Sequence, residues 1–224
     1  MDLPKEKRWF PLESNPTLLN NYISSLGFSN ERYGFADLYS TDEWALNMIQ
    51  PPVLALVVHF PMSSKILERR HEMHKEVETE IAMEFAILHA LFNTPKCIQS
   101  SEIEPTSWAE MFLNECPADT LPVDKASILE NDNTIECFHD AAAKDPSNQT
   151  NRPEIDDKIG IHFATFACVN DKLCDLDGRL DGPICHGSTS IANFLKDACG
   201  VVQKWMDADK NEMRFTMLAL APSA

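Results

Sequence analysis

The stretch GIHFATFACVNDKLCDLDGR, Gly160 to Arg179, reads as two short apolar strands joined by a polar turn at Asn170 and Asp171. A two-residue turn there sets His162 opposite Arg179 and Asp177 opposite Ala164. His162 and Asp177 then sit on one face as diagonal neighbours, roughly 7–8 Å apart by backbone and within side-chain reach. An acid so placed can take the Nδ1 proton of the imidazole and leave Nε2 free as a base. A plainer reading also fits, in which Asp177 starts the Asp-Gly-Arg turn and His162 is incidental. Cys168 and Cys174 lie further along the strands, with Cys174 on the opposite face.

Working outward, VLALVVHF (53–60) is a continuous apolar run, too short and too β-branched for a helix, and predicts a central strand buried on both faces. RFTMLALA (214–221) predicts a final strand. SNPTLLNNYISSLGF (14–28) predicts a short helix, with Ser14 or Asn15 as cap, Pro16 in the first turn and Gly27 after the end. TDEWALNMI, PTSWAEMFLNECP, LPVDKASILEN and SIANFLKDACGVVQKWMDA predict further helices. The longest helical stretch runs from Ser63 to Phe92 and turns almost wholly apolar from Ile81. Between Asp132 and Lys158 the chain is polar with one short apolar run, which predicts a long loop of the functional kind. The irregular alternation of strands and helices predicts one α/β domain over residues 1–224.

The length of 224 residues suits a single full-sized core. No apolar run approaches the ~18 residues that span a bilayer. The charged N-terminus carries no signal-peptide core, so the expected location is the cytoplasm, with the nucleus also open. The seven cysteines form no CxxC pair and fit reduced thiols better than a disulfide framework or zinc module. A formal charge of −16 argues against nucleic acid and suits a basic protein partner or simple solubility. No membrane association is expected, and a monomer is.

Other constellations are weak. His71 and His74 stand three apart in a charged helix without further ligands at metal-site spacing. DLDGRLDG lacks the closing acid of a calcium loop, with His186 in its place. HGSTS lacks the second glycine of a hydrolase elbow. With seven glycines, no phosphate-binding loop is hidden. No metal or other cofactor is expected.

The chain resembles the ubiquitin C-terminal hydrolases, papain-like cysteine peptidases, over nearly its whole length. WFPLESNPTLLNNYISSLG, FADLYSTDEWALNMIQPPVLALVVHFP, ILHAL, IGIHFATFACVNDKLCDLDGR, GPICHG and RFTMLALAP carry the likeness in order. The resemblance implies a three-layer α–β–α sandwich with a mostly antiparallel sheet and a knotted chain, a rare exception to unknotted folds. It implies thiol-dependent cleavage after the C-terminal glycine of ubiquitin or a ubiquitin-like protein, releasing small adducts. It assigns His162 as general base and acid and Asp177 as its orienting partner. A crossover loop limiting the leaving group would fall at about 141–153. Ubiquitin would dock on Pro11, Leu12, Glu13, Asn15 and Pro16 and near Arg214 and Phe215, and the acidic charge suits its basic tail.

The third member of the triad is where the chain departs. Aligned without a gap on Leu88, His89 and Ala90, Ala82 takes the place of the nucleophilic cysteine and Glu76 that of the oxyanion glutamine. Glu80, Ile81, Ala82 and Met83 replace the family's NACG, and the connection from His59-Phe60-Pro61 is shorter than usual. Alanine offers no nucleophile, and losing one typically costs on the order of 10⁶ in turnover. A carboxylate at 76 has no N–H to give and would repel an oxyanion. The chain as written is expected to be inactive. Two origins remain open: a ubiquitin-binding pseudoenzyme, or a transcript in which the catalytic segment is skipped. The abrupt junction and the shortening favour the second.

Overall fold

Asn170 and Asp171 both adopt left-handed backbone angles, with φ of 50° and 59°. A type I′ hairpin turn requires this, and asparagine and aspartate tolerate it better than other non-glycine residues. The turn joins β3 (Ile161–Val169) to β4 (Lys172–Leu176). Val169 pairs with Lys172 and Thr165 with Leu176, the register a two-residue turn dictates. The computed structural model describes residues 12–75, 103–116, 120, 122–148, 160–180 and 183–223.

Around this hairpin lies a six-stranded sheet. Its other strands are β1 (Tyr33–Asp37), β2 (Ala55–Pro61), β5 (Ile184–Ser188) and β6 (Thr216–Pro222). The order is β1-β6-β2-β3-β4-β5 and every pairing is antiparallel. The 53–60 run is central as expected, since β2 pairs with β6 on one side and β3 on the other. Every residue of β2 is buried except His59. β1 and β5 were not foreseen. Each is five residues long and partly exposed, so neither carries a clear apolar alternation.

Helices cover both faces. Leu56, Val58 and Phe60 of β2 point into one core, with Ala164, Phe166, Met217 and Ala219 beside them. The helices α2 (Glu43–Leu46), α3 (Ser64–Lys75) and α7 (Phe194–Ala208) close it. On α7, Phe194, Ala198, Val201, Val202 and Trp205 recur at helical spacing and are all buried. Ala55 and Val57 point the other way, into a core closed by α1 (Pro16–Ser25), α4 (Trp108–Glu115), α5 (Pro122–Asn131) and α6 (Asn133–Ala143). The result is a three-layer α–β–α arrangement. The stretch expected as a helix over Thr41–Ile49 gives a single turn, and the one from Ser63 is described only as far as Lys75.

Helix α6 corrects the loop expected between Asp132 and Lys158. Asp132 caps it, accepting from the Thr134 N–H at 2.6 Å. Ile135 and Phe138 pack against the second core, and Ala142 and Ala143 are buried further along the helix, spaced by three and four among polar neighbours. Of the crossover segment expected at about 141–153, Ala141–Ala143 therefore ends a helix. Residues 144–148 form a turn, and the rest lies outside the described residues.

Asn15 caps α1, its Oδ1 accepting from Thr17 and Leu18 N–H groups at 2.9 and 3.2 Å. The helix ends at Gly27, whose φ of 101° suits glycine. A Cβ there would lie 2.1 Å from the Ser107 Cβ. Gly27 thus lets the end of α1 meet the start of α4, where Ala109 N–H donates to the Leu26 carbonyl at 2.9 Å. Gly27→Ala is expected to destabilise the fold by at least about 1–3 kcal/mol, measured by urea unfolding. A midpoint like that of the parent chain would refute the close approach.

Candidate functional site

The head of β3 and the tail of β4 bring His162 and Asp177 together. Their pairing register ends at Leu176, so Asp177 is free to open the following turn. Its carboxylate meets the imidazole with Oδ1 2.5 Å from Nε2. The same oxygen accepts the Arg179 backbone N–H at 2.9 Å, and the Leu180 N–H bonds the Asp177 carbonyl. Asp177 therefore starts the turn, as the plainer reading had it, and also holds the histidine that that reading took as incidental.

The orientation of the ring differs from the expectation. Nε2, not Nδ1, faces the acid. Burial would raise the Asp177 carboxyl. Hydrogen bonds from His162, the Arg179 N–H and Arg70, with the Arg70 charge, nonetheless bring it down to about 2. At neutral pH it is an acceptor only, so Nε2 must donate, and in the neutral form of the ring Nδ1 carries the free lone pair. Phe60, the cross-strand partner of His162, fixes the ring edge-on at 5.6 Å between centroids.

Two charged residues absent from the sequence reading complete the site. Arg70 on α3 is buried, 5% exposed. Its Nη1 donates to Asp177 Oδ2 at 2.5 Å and its Nη2 to Asp175 Oδ2 at 2.8 Å. The guanidinium lies over Phe60 and Trp205, 4.6 and 4.5 Å from their ring centres. Burial opposes its charge, but the attraction of Asp175 and the hydrogen bonds to both acids outweigh that and hold it above its ordinary value. A signal existed: Ile66, Arg70 and Met73 share one buried face of α3 at helical spacing. In a stretch reading ERRHEMHKE, that arginine passes for part of a solvated face.

His186 on β5 approaches Asp175 with Nε2 3.9 Å from Oδ2. His59 at the end of β2 is pushed down to about 4, by burial first and then by His162. It is therefore neutral at physiological pH. His71 and His74 lie on α3, and the described residues contain no group of three or more His, Cys, Asp or Glu that could hold a metal.

Residues 9–207 match the profile of a family described as "Ubiquitin carboxyl-terminal hydrolase, family 1". Ubiquitin carboxyl-terminal hydrolase 3 of Arabidopsis thaliana is 33% identical over 96% of this chain and 94% of its own length. The chain belongs to the ubiquitin carboxyl-terminal hydrolases. A probable hydrolase of the family from Dictyostelium discoideum is 30% identical over 96% of this chain and 88% of its own. The catalytic domain of Trichinella spiralis UCH37, crystallised with ubiquitin vinyl methyl ester, shares the fold. Its TM-score is 0.70 at 19% identity, covering 97% of each chain. By family the protein is a thiol-dependent hydrolase.

The remaining family positions distribute as follows. Ala82, Glu76 and Pro11 lie outside the described residues. Leu12 and Glu13 precede α1, and the Glu13 N–H donates to Asn148 Oδ1 at 3.3 Å. Pro16 opens α1. The Asn15 amide is occupied, capping α1 through its oxygen and donating to the Ser147 carbonyl through its nitrogen. Arg214 pairs with Glu212 and stands beside Gly160 at the head of β3. Phe215 packs on the first core one residue before Thr216, which pairs with His59. Arg214 and Phe215 thus share the His162 end of the sheet, while Leu12–Pro16 adjoin the turn after α6.

The Asp177 carboxyl falls from 3.8 to about 2 on folding, so its stabilisation is complete above pH ~4 and lost as pH drops through about 2. Acid unfolding followed by circular dichroism should show on the order of 2 kcal/mol lost across that window. Asp177→Asn should lack this component. An acid limb identical in both chains would contradict the assignment.

Proposed function

We propose that this chain docks ubiquitin, or a ubiquitin-like protein, with its C-terminal tail at the His162 end of the sheet, and does not cleave it. One combination carries the reading. His162 and Asp177 are in hydrogen-bond contact, while the aligned nucleophile position is Ala82. Without a thiol, an oriented imidazole cannot form the covalent intermediate that the family chemistry requires.

The described thiols offer no replacement. Cys168 lies six residues along β3 from His162, roughly 20 Å away. Cys174 faces the opposite core, and burial holds its thiol at about 12. Cys199 is sealed in the first core and is likewise pushed up to about 12 by burial. Cys116 caps the C-terminal end of α4 and Cys137 belongs to α6, in the other layer. Cys185 pairs with Cys174 across β4 and β5.

Several observations support ubiquitin as the partner: the family match, the complex captured in the Trichinella neighbour, and the −16 charge against a basic tail. Small C-terminal adducts of ubiquitin are the ligands the His162 end would meet.

Calorimetry with ubiquitin is expected to give saturable binding, and a ubiquitin–fluorophore adduct should show no thiol-dependent turnover. Absence of binding by a folded sample would remove the docking reading, and normal turnover would remove the claim of inactivity. The double change Glu76→Gln with Ala82→Cys should restore measurable hydrolysis. Transcripts carrying an in-frame NACG segment across codons 70 to 90 would identify this chain as a spliced form of an active hydrolase.

A further inference from the structure

We propose that Arg70 is a positioning residue for the His162–Asp177 pair: it presents one oxygen of Asp177 to His162 and thereby fixes which imidazole nitrogen is free. The proposal deepens the reading above, since it concerns the pair that reading places at the docking end.

The two Asp177 oxygens have different tasks. Oδ1 takes both the imidazole Nε2 and the Arg179 N–H. Oδ2 takes Arg70. The Asp177 side chain is 1% exposed, so without Arg70 that second oxygen would lose its charged donor away from bulk water. A buried carboxylate in that position either rotates to share its remaining donors or binds a proton. Either change alters what His162 meets.

Arg70 is itself held from several sides. It spans two carboxylates, one through each terminal nitrogen, and its Nε makes no hydrogen bond among the described residues. Phe60 and Trp205 confine the guanidinium plane. Phe60 also presents its ring against His162. Contacts therefore close a circuit from His162 through Asp177, Arg70 and Phe60 back to His162. A space-filling arginine would add stability without choosing a tautomer. A closed circuit chooses one, because the imidazole can rotate only if Asp177 or Phe60 yields.

The test is nitrogen-15 NMR of histidine-labelled full-length chain without ubiquitin, with His162 assigned through a His162→Gln sample. The parent chain should show the Nε2–H tautomer with a slowly exchanging ring proton. Arg70→Met should give mixed tautomers and about tenfold or faster ring-proton exchange, as expected for losing a hydrogen bond to a charged group. Arg70→Lys, which keeps the charge but not the span, should fall between them. Lys65→Met, which removes an exposed pair with Asp209, should leave the signal unchanged.

A folded Arg70→Met chain with the parent tautomer and exchange rate would overturn the proposal. If Arg70→Met does not fold, Asp175→Asn releases the far end of Arg70 while leaving Arg70, Asp177 and His162 present. Faster exchange there supports the proposal and unchanged exchange overturns it. Ubiquitin binding is a separate measurement, so failure of docking would not be mistaken for failure of this assignment.

Discussion

One buried cation organises this molecule. Arg70 reaches from α3 to the sheet, where Asp175 and Asp177 accept it and two aromatic rings enclose it. The three charges have left water together, and removing one partner of such a set typically costs ~3–5 kcal/mol because the others stay buried. That is a large part of the 5–15 kcal/mol by which a domain is usually stable. The contact also joins layers: it fixes α3 against β4 at the point where Phe60 and Trp205 fill the core between them.

A consequence follows for how the His–Asp pair should be interpreted. In an active hydrolase the acid is retained for catalysis. Here Asp177 also completes the Arg70 site and opens the turn that leads to β5. Its loss would expose the fold to the cost of an unpaired guanidinium, whether or not a nucleophile is present. Stability alone would therefore maintain Asp177. The pair marks ancestry and geometry, and activity needs its own measurement.

The sequence was most legible where local chemistry and tertiary need agreed. The Asn170–Asp171 turn, the Asn15 cap and the apolar run of β2 each specify their structure within a few residues, and each formed as read. Helix α6 was hidden because its apolar stripe is only a few residues wide and sits among acids, asparagine and alanine. β1 and β5 were hidden because edge strands bury only part of their side chains. Arg70 was missed for a different reason. Whether an arginine on a charged helix faces water depends on acids more than a hundred residues away, and no local pattern reports them. The imidazole orientation likewise depends on how Phe60 packs against the ring.

The position of β6 bears on how the chain is made. This strand, the last along the chain, lies between β1 and β2, which belong to the first third of the sequence. During synthesis β1 and one edge of β2 emerge early and wait for their partner, for roughly ten seconds or more at usual elongation rates. Through that interval the strand that becomes the most buried in the sheet presents open backbone and apolar side chains, the combination that invites pairing between chains. The nascent protein is thus a natural client for chaperones, and a chain cut short before Thr216 would leave β1 parted from the other four strands.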